Sequence, residues 1–418
     1  MARGIAALGV VLSLSSISAA GFDDQPEDWS SYIYAADGDV IFDDELAAFV
    51  AANLGEERPG ALLFAFTQCH GGGMLDDLAD RLEGRADVAL FSASAHHESA
   101  WVATADTSAA CLKACGLKEP RSYYVEALAR ALAEDRVSGL TLAELGELAA
   151  RLDAAAAGGA ATRPDLCSGE ERVTEPEHPQ MVFVGGGEAL RLGRASSGEP
   201  LHAEELHAVL FVGEAAEVWA RTDLERIHSE LMACVFRPEN MYVLAGNGPD
   251  PAGDPSGEVA SPLAWPTFVD RPATREALFD VLGALLPTVG ARGQLVFWST
   301  GHGEHERRIS WEHAVPLEGE LPMTGSLGAE DPQLADDTRY ELYAVAGEAG
   351  EEIGILLSSS DFDAFLYLYD SERQVIATDD DSGGGTDAYL RVVLPADGVY
   401  YVLANAFRPD GEGDYRLE

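Results

Sequence analysis

The chain is 418 residues long, enough for two or three domains each with its own core, and its hydrophobic fraction of 47% is ordinary for a globular protein. Its charge is not ordinary: 72 acidic against 27 basic residues leave −45. A field of that sign argues against nucleic acid and anionic membrane as partners and suits a soluble exported protein.

The first residues agree with export. Met1-Ala2-Arg3-Gly4 is followed by an apolar run from Ile5 to Leu14 and an exit through Ser18-Ala19-Ala20. A short basic start, a brief apolar core and a small-residue exit predict a secretory signal peptide over residues 1–20. The protein is therefore expected outside the cytoplasm: secreted, periplasmic or at the cell surface. The run is shorter than the ~20 apolar residues a membrane span needs, and no later segment supplies one. Five cysteines, at 69, 111, 115, 167 and 234, are an odd number for an exported protein. Pairing four of them leaves one thiol that has a reason to stay free.

From 21 to 152 short apolar runs alternate with helical spacing. Ala61–Phe66 and Val88–Phe91 predict buried strands, with helices over Asp43–Leu54 and Met74–Leu82. Residues 153–180, rich in Ala and Gly and then in Pro and Glu, read as a linker. The alternation resumes over 181–325. Strands are expected at Met181–Val184, Ala208–Val212, Met241–Leu244 and Gln294–Ser299, and helices over Thr222–Cys234 and Thr274–Leu286. Such alternation predicts a mostly parallel sheet with helices on both faces. From 326 to 418 the runs at Ile353–Leu357, Ala364–Tyr369 and Val399–Leu403, rich in aromatic and branched residues, are separated by turn clusters. They predict an all-β sandwich.

Two strand ends carry chemistry. After Ala61–Phe66 comes Thr67-Gln68-Cys69-His70-Gly71-Gly72-Gly73, and after Gln294–Ser299 comes Thr300-Gly301-His302-Gly303. The carboxyl edge of a parallel sheet is where ligands bind, and a Cys between a strand and a helix start is placed for thiolate formation. If the strands are neighbours, Cys69 as nucleophile and His302 as general base are the minimum for acyl transfer through a thioester. The histidines His70, His96 and His97 match no zinc-site spacing, and Gly185-Gly186-Gly187-Glu188 lacks a nucleotide fingerprint.

Those motifs resemble the caspase–legumain clan of cysteine peptidases, including bacterial legumain-like and metacaspase-like members. An apolar strand before Ser299-Thr300-Gly301-His302-Gly303 resembles the clan's His element, and Gln68-Cys69-His70-Gly71-Gly72 its Cys element. Phe91-Ser92-Ala93-Ser94 to Glu98-Ser99-Ala100-Trp101 and Pro238–Leu244 resemble neighbouring strands. Clan members place His before Cys, so the resemblance implies a circular permutation in which 181–303 supplies the first strands and 32–130 the later ones. It further implies an oxyanion hole from the amides of Cys69 and Gly303, and a pocket lined by Thr67, Gln68, Ser92, Ser94 and Glu98. Thr67 stands where clan members that cut after Arg or Lys carry Asp, which removes the basis for assigning that preference.

The C-terminal segment resembles the bacterial pre-peptidase C-terminal domain through Ser360–Leu366, Asp379-Asp380-Asp381 and Gly411–Leu417. Asp361, Asp363, Asp379, Asp380 and Asp381 are oxygen donors of the kind calcium takes. The expectation is a secreted cysteine endopeptidase acting on peptide or protein, with no cofactor required for catalysis and calcium as the candidate ion of the C-terminal domain. The alternative is an inactive caspase-like module binding protein or polysaccharide. Oligomeric state is not readable from the sequence.

Overall fold

The computed structural model describes residues 29–418 apart from 56, 104–106, 162–177, 214, 216, 250–264, 308, 310, 312–313, 318–321, 330 and 335. The expected signal peptide and Cys167 lie outside the described residues. The chain forms two compact units, in the main Ser31–His305 and Glu306–Glu418.

In chain order the first unit contains β1 (Trp29–Tyr34), β2 (Val40–Phe42), α1 (Asp43–Asn53), β3 (Ala61–Phe66), α2 (Gly73–Leu82), β4 (Val88–Ser92), α3 (Ala109–Ala114), α4 (Tyr123–Ser138) and α5 (Leu142–Ala161). It continues with β5 (Gln180–Val184), β6 (Leu206–Val212), α6 (Val218–Ala233), β7 (Met241–Ala245), α7 (Arg275–Leu285), β8 (Gln294–Thr300) and β9 (Gly303–Arg307). Its main sheet runs β5-β4-β3-β8-β6-β7, parallel except for the antiparallel edge strand β5, and a small sheet β2-β1-β9 lies apart from it.

Every residue of β3 and β8 is buried, as a sheet covered on both faces demands. Alternate residues serve different cores. Leu63 and Ala65 join one apolar cluster with Leu128 of α4 and Trp219 of α6, while Leu62, Phe64 and Phe66 join another with residues of α1, α2 and α7. Helix α7 shows how local sequence sets this up. Leu278, Val281, Leu282 and Leu285 form one buried stripe, and Thr274 caps the helix by accepting from the Ala277 amide at 3.1 Å.

Three placements depart from the sequence reading. The Ala-rich start of the expected linker is helical as far as Ala161, because alanine is the strongest helix former and extends α5. Strand β5, grouped by sequence with the His-bearing half, pairs instead with β4 at the far edge of the Cys-bearing half. The second unit begins at Glu306, so the boundary drawn after residue 325 falls inside a strand.

That second unit is a sandwich. Strands β10 (Val315–Pro316), β11 (Met323–Leu327), β12 (Tyr340–Gly347), β13 (Glu352–Ser359), β14 (Ala364–Tyr369), β15 (Val375–Asp379), β16 (Ala388–Val393), β17 (Gly398–Ala406) and β18 (Gly413–Leu417) form sheets β10-β12-β17-β14-β15 and β11-β18-β13-β16. Leu357, Leu366, Leu368, Val402 and Leu417 fill the space between them, supplied by alternation along each strand.

Candidate active site

Strands β3 and β8 are parallel neighbours, with Phe66 opposite Ser299. Cys69 follows Phe66 by three residues and His302 follows Ser299 by three, so both turns leave the same edge of the sheet at the same height. The turns are fastened to each other. Thr67 donates to the Ser299 carbonyl through its amide (2.9 Å) and its hydroxyl (2.7 Å), and Ser299 Oγ donates to Gln68 Oε1 at 3.0 Å.

Gly303 sits directly on the Cys69 turn. A Cβ there would lie 2.5 Å from the Cys69 carbonyl oxygen and 2.6 Å from Gln68 Cγ, so only glycine fits. Gly72 has a comparable role on the other side, where a Cβ would come within 2.7 Å of the His96 amide nitrogen. His70 adopts φ +56°, and its Nδ1 meets the His96 carbonyl at 2.7 Å while its amide donates to the Glu98 carbonyl at 2.8 Å. The Cys turn is thus wedged between the His turn and the loop 95–100.

Cys69 is a free thiol, half-buried, with Sγ 3.9 Å from the Ala100 carbonyl oxygen. Burial pushes the thiol above its ordinary pKa; contacts with Ala100 and Ser99 oppose this, and the charge of Glu304 adds to it. Burial thus opposes the thiolate that the sequence position led one to expect. Helix α2 starts only at Gly73, and the dipole effect falls off within a turn. Cys115 and Cys234 are also free, so the cysteines expected to form up to two bridges do not all pair; Cys111 is disulfide-bonded.

His302 is exposed at the edge, its carbonyl accepting from the Tyr34 amide at 3.3 Å. Its ring meets that of Trp219 edge to face, with centroids 5.9 Å apart and planes at 85°. Glu304, just past Gly303, is exposed and accepts from Tyr32 Oη at 3.1 Å. Trp219, Tyr32 and Glu304 were not singled out by sequence. Only Glu304, next to the Gly-His-Gly motif, carried a local signal.

The residues expected to line a pocket lie below the surface. Thr67, Gln68, Ser92 and Ser94 are buried, and their hydroxyl, amide and carbonyl groups bond to Ser299, to Gln68 and to one another. They are the floor of the site rather than its walls, because strand-end residues here point into the seam between β3, β4 and β8. Glu98 alone reaches outward. It accepts from the His178 amide (3.0 Å) and meets His178 Nδ1 at 2.5 Å. Burial pushes its carboxyl up, but the bonds from His178 and Ala95 outweigh that and hold it below the usual range.

In the sandwich, oxygens of Asp363, Asp380 and Asp381 converge to within 4.8 Å of one another. Burial and the charges of Asp381, Asp363 and Asp379 push the Asp380 carboxyl up. Asp361 and Asp379, two of the five expected donors, are occupied with backbone amides instead: Asp361 accepts from Asp414 at 3.0 Å, and Asp379 from Ser382 at 3.0 Å and Tyr389 at 2.7 Å. Both cap turns.

Comparison with known proteins bears on the second unit. A search of curated proteins finds no match. Among solved structures, the pre-peptidase C-terminal domain of a Bacillus anthracis collagenase is 16% identical, covering 25% of this chain and 92% of its own, with a TM-score of 0.21. PliG, a periplasmic inhibitor of g-type lysozyme from Aeromonas hydrophila, is 18% identical over 25% of this chain and 91% of its own, with a TM-score of 0.20. Residues 339–406, strands β12 to β17 of the sandwich, match the family of the bacterial pre-peptidase C-terminal domain.

Proposed function

We propose that the first unit is a cysteine endopeptidase of the caspase–legumain kind, circularly permuted, in which Cys69 attacks the scissile carbonyl and His302 moves the proton. The observation that carries this reading is the shared edge: two parallel neighbours end in a Cys turn and a His turn, and Gly303 touches the Cys69 carbonyl. A permuted chain accounts for that seam, since β8, β6 and β7 lie on one side of it and β3 and β4 on the other, with β5 alone of the His-bearing half lying beyond β4. The amides of Cys69 and Gly303 would hold the oxyanion, where each such donor contributes about 3 kcal/mol.

Export belongs to this proposal, on the strength of the N-terminal residues and the sandwich. No helix among the described residues is long and apolar enough to cross a membrane. Calcium is proposed for Asp363, Asp380 and Asp381. Three carboxylate oxygens within 4.8 Å of one another fit around an ion with metal–oxygen distances of ~2.4 Å, and buried Asp363 Oδ1 has no hydrogen-bond partner. Its chemistry there would be structural.

The high thiol pKa also favours a second reading, an inactive binding module, and one experiment separates the two. The purified protein is profiled on a peptide library beside Cys69→Ala, His302→Ala and the double variant. Cleavage should vanish in each single variant, and the double should lose little more, since the pair acts as a unit. Cleavage that survives Cys69→Ala, or none by the unsubstituted protein, sinks the peptidase reading.

A further inference from the structure

The pocket that the resemblance implied is closed, so a substrate side chain needs another place along the edge. Thr67, Gln68, Ser92 and Ser94 are buried beneath it, and Glu98, the carboxylate of the loop 95–100, is engaged by His178. The other flank of the Cys69 turn differs. There the small sheet β2-β1-β9 passes the site, with Gly303 against the Cys69 carbonyl and Glu304 the next residue along β9.

Alternation along β1 and β2 sorts this sheet into two faces. Ile33 and Ile41 are buried in the core on one, while Tyr32, Tyr34 and Phe42 stand half-exposed on the other. Tyr32 lies opposite Phe42 in the register, and its ring meets those of Phe42 and Tyr34 with centroids 5.2 and 5.5 Å apart, at 64° and 76°. The three rings form one partly open aromatic patch, and Glu304 stands at its margin, accepting from Tyr32 Oη at 3.1 Å. Burial, with Tyr34 and Glu304 beside it, pushes the Tyr32 hydroxyl up, so it stays a neutral donor. Among the described residues the exposed Glu304 carboxylate meets that hydroxyl and no cation. Its charge is felt at both Cys69 and His70.

A carboxylate beside aromatic rings, with no cation of its own, is the chemistry that holds an ammonium or guanidinium group. The charges pair, while the rings cover the alkyl stem and attract the cation through their π faces. The net charge of −45 adds a long-range pull of the same sign. Resting on the peptidase reading, we propose that Glu304 and the rings of Tyr32, Tyr34 and Phe42 form a subsite for a lysine or arginine side chain of the substrate, near the scissile bond on the β9 side of Cys69. The subsite selects substrate and takes no part in proton transfer.

The test uses the full chain and peptides of one sequence from the library profile, carrying lysine or norleucine at each position beside the scissile bond. Norleucine keeps the stem and lacks the charge. At one position kcat/KM should favour lysine by about ten- to a hundredfold, the range of a charge-assisted bond, and Glu304→Gln should bring that ratio to within about threefold. Tyr32→Leu removes a ring and should narrow the ratio by about two- to tenfold. No lysine preference at any position overturns the inference, and so does a ratio that Glu304→Gln leaves intact while both peptides slow together. An unsubstituted protein without Cys69-dependent turnover fails differently, taking down the peptidase reading. The cation site is then decided by titrating Nα-acetyl-lysine amide into tyrosine-labelled protein. Shifts of the Tyr32 ring signals that Glu304→Gln abolishes sustain it; no shifts, or shifts that survive Glu304→Gln, overturn it.

Discussion

Replacing Gly303 by alanine tests the contact on which the candidate site depends. The new methyl would sit 2.5 Å from the Cys69 carbonyl oxygen and 2.6 Å from Gln68 Cγ. Reaching even 3.0 Å requires the turns to part by 0.5 Å against the oxygen (3.0 − 2.5), and backbone cannot rotate aside as a flexible side chain does. Overpacking of this kind costs about 1–3 kcal/mol. In a unit of this size each kcal/mol lowers Tm by about 2–4 °C, so a fall of roughly 2–12 °C is expected. On the proposed peptidase reading the same displacement would separate Cys69 from His302 and pull the Gly303 amide off the oxyanion, so turnover should fall by about ten- to a hundredfold. Gly290→Ala is the control: no atom lies within 4 Å of its Cβ and its φ is not positive, so a change within about 0.5 kcal/mol is expected. Melting curves and turnover are measured side by side. If Gly303→Ala melts and turns over like the unsubstituted protein, the two turns do not touch and the site geometry derived from them is wrong.

Other outcomes follow from single residues. Millimolar calcium should raise the Tm of the sandwich, and Asp381→Asn should shrink that rise; no shift with calcium returns Asp363, Asp380 and Asp381 to ordinary solvated carboxylates. Val235, exposed and at φ +86°, takes the left-handed position after α6 while the Phe236 amide closes on the Leu231 carbonyl at 3.3 Å. Val235→Gly should therefore stabilise by about 1 kcal/mol, read from denaturant midpoints, and a loss would refute the strain. Burial pushes the carboxyl of Asp223 from 3.8 up to about 8, against the bonds from Ser122. A raised folded pKa means stability is greatest at low pH and declines as pH rises toward 8. Asp223→Asn should flatten that decline in melting curves between about pH 4 and pH 8, and equal slopes for both proteins would contradict it.

Much of this architecture was legible because buried parallel strands are written as unbroken apolar runs. Ala61–Phe66 and Ala364–Tyr369 were bounded to the residue. The glycines beside Cys69 and His302 marked the turns, and the adjacency of their strands followed from asking what chemistry would need both. What failed to show was whatever depends on packing between distant segments. Nothing in Met181–Val184 says that it runs antiparallel at an edge, since edge and centre share the same apolar residues. Thr67, Gln68, Ser92 and Ser94 look like pocket residues until neighbouring strands close over them. Trp219 is one of six tryptophans, and no spacing ties it to a histidine on another strand. Helix α5 was readable in part, and treating its alanines as linker undervalued their propensity.

The seam between β3 and β8 also sets the time at which the candidate site is assembled. Ribosomes make Cys69 early and His302 late, and pairings between such distant segments are slow to form in folding. Strand β3, buried on both faces, has no partner on one side until β8 arrives. A nascent chain thus carries Cys69 on a strand paired with β4 alone, and Cys69 and His302 come together only when the last strand of the sheet inserts. On the proposed peptidase reading, latency during synthesis would require no inhibitor; it would be a property of the order in which the strands are laid down.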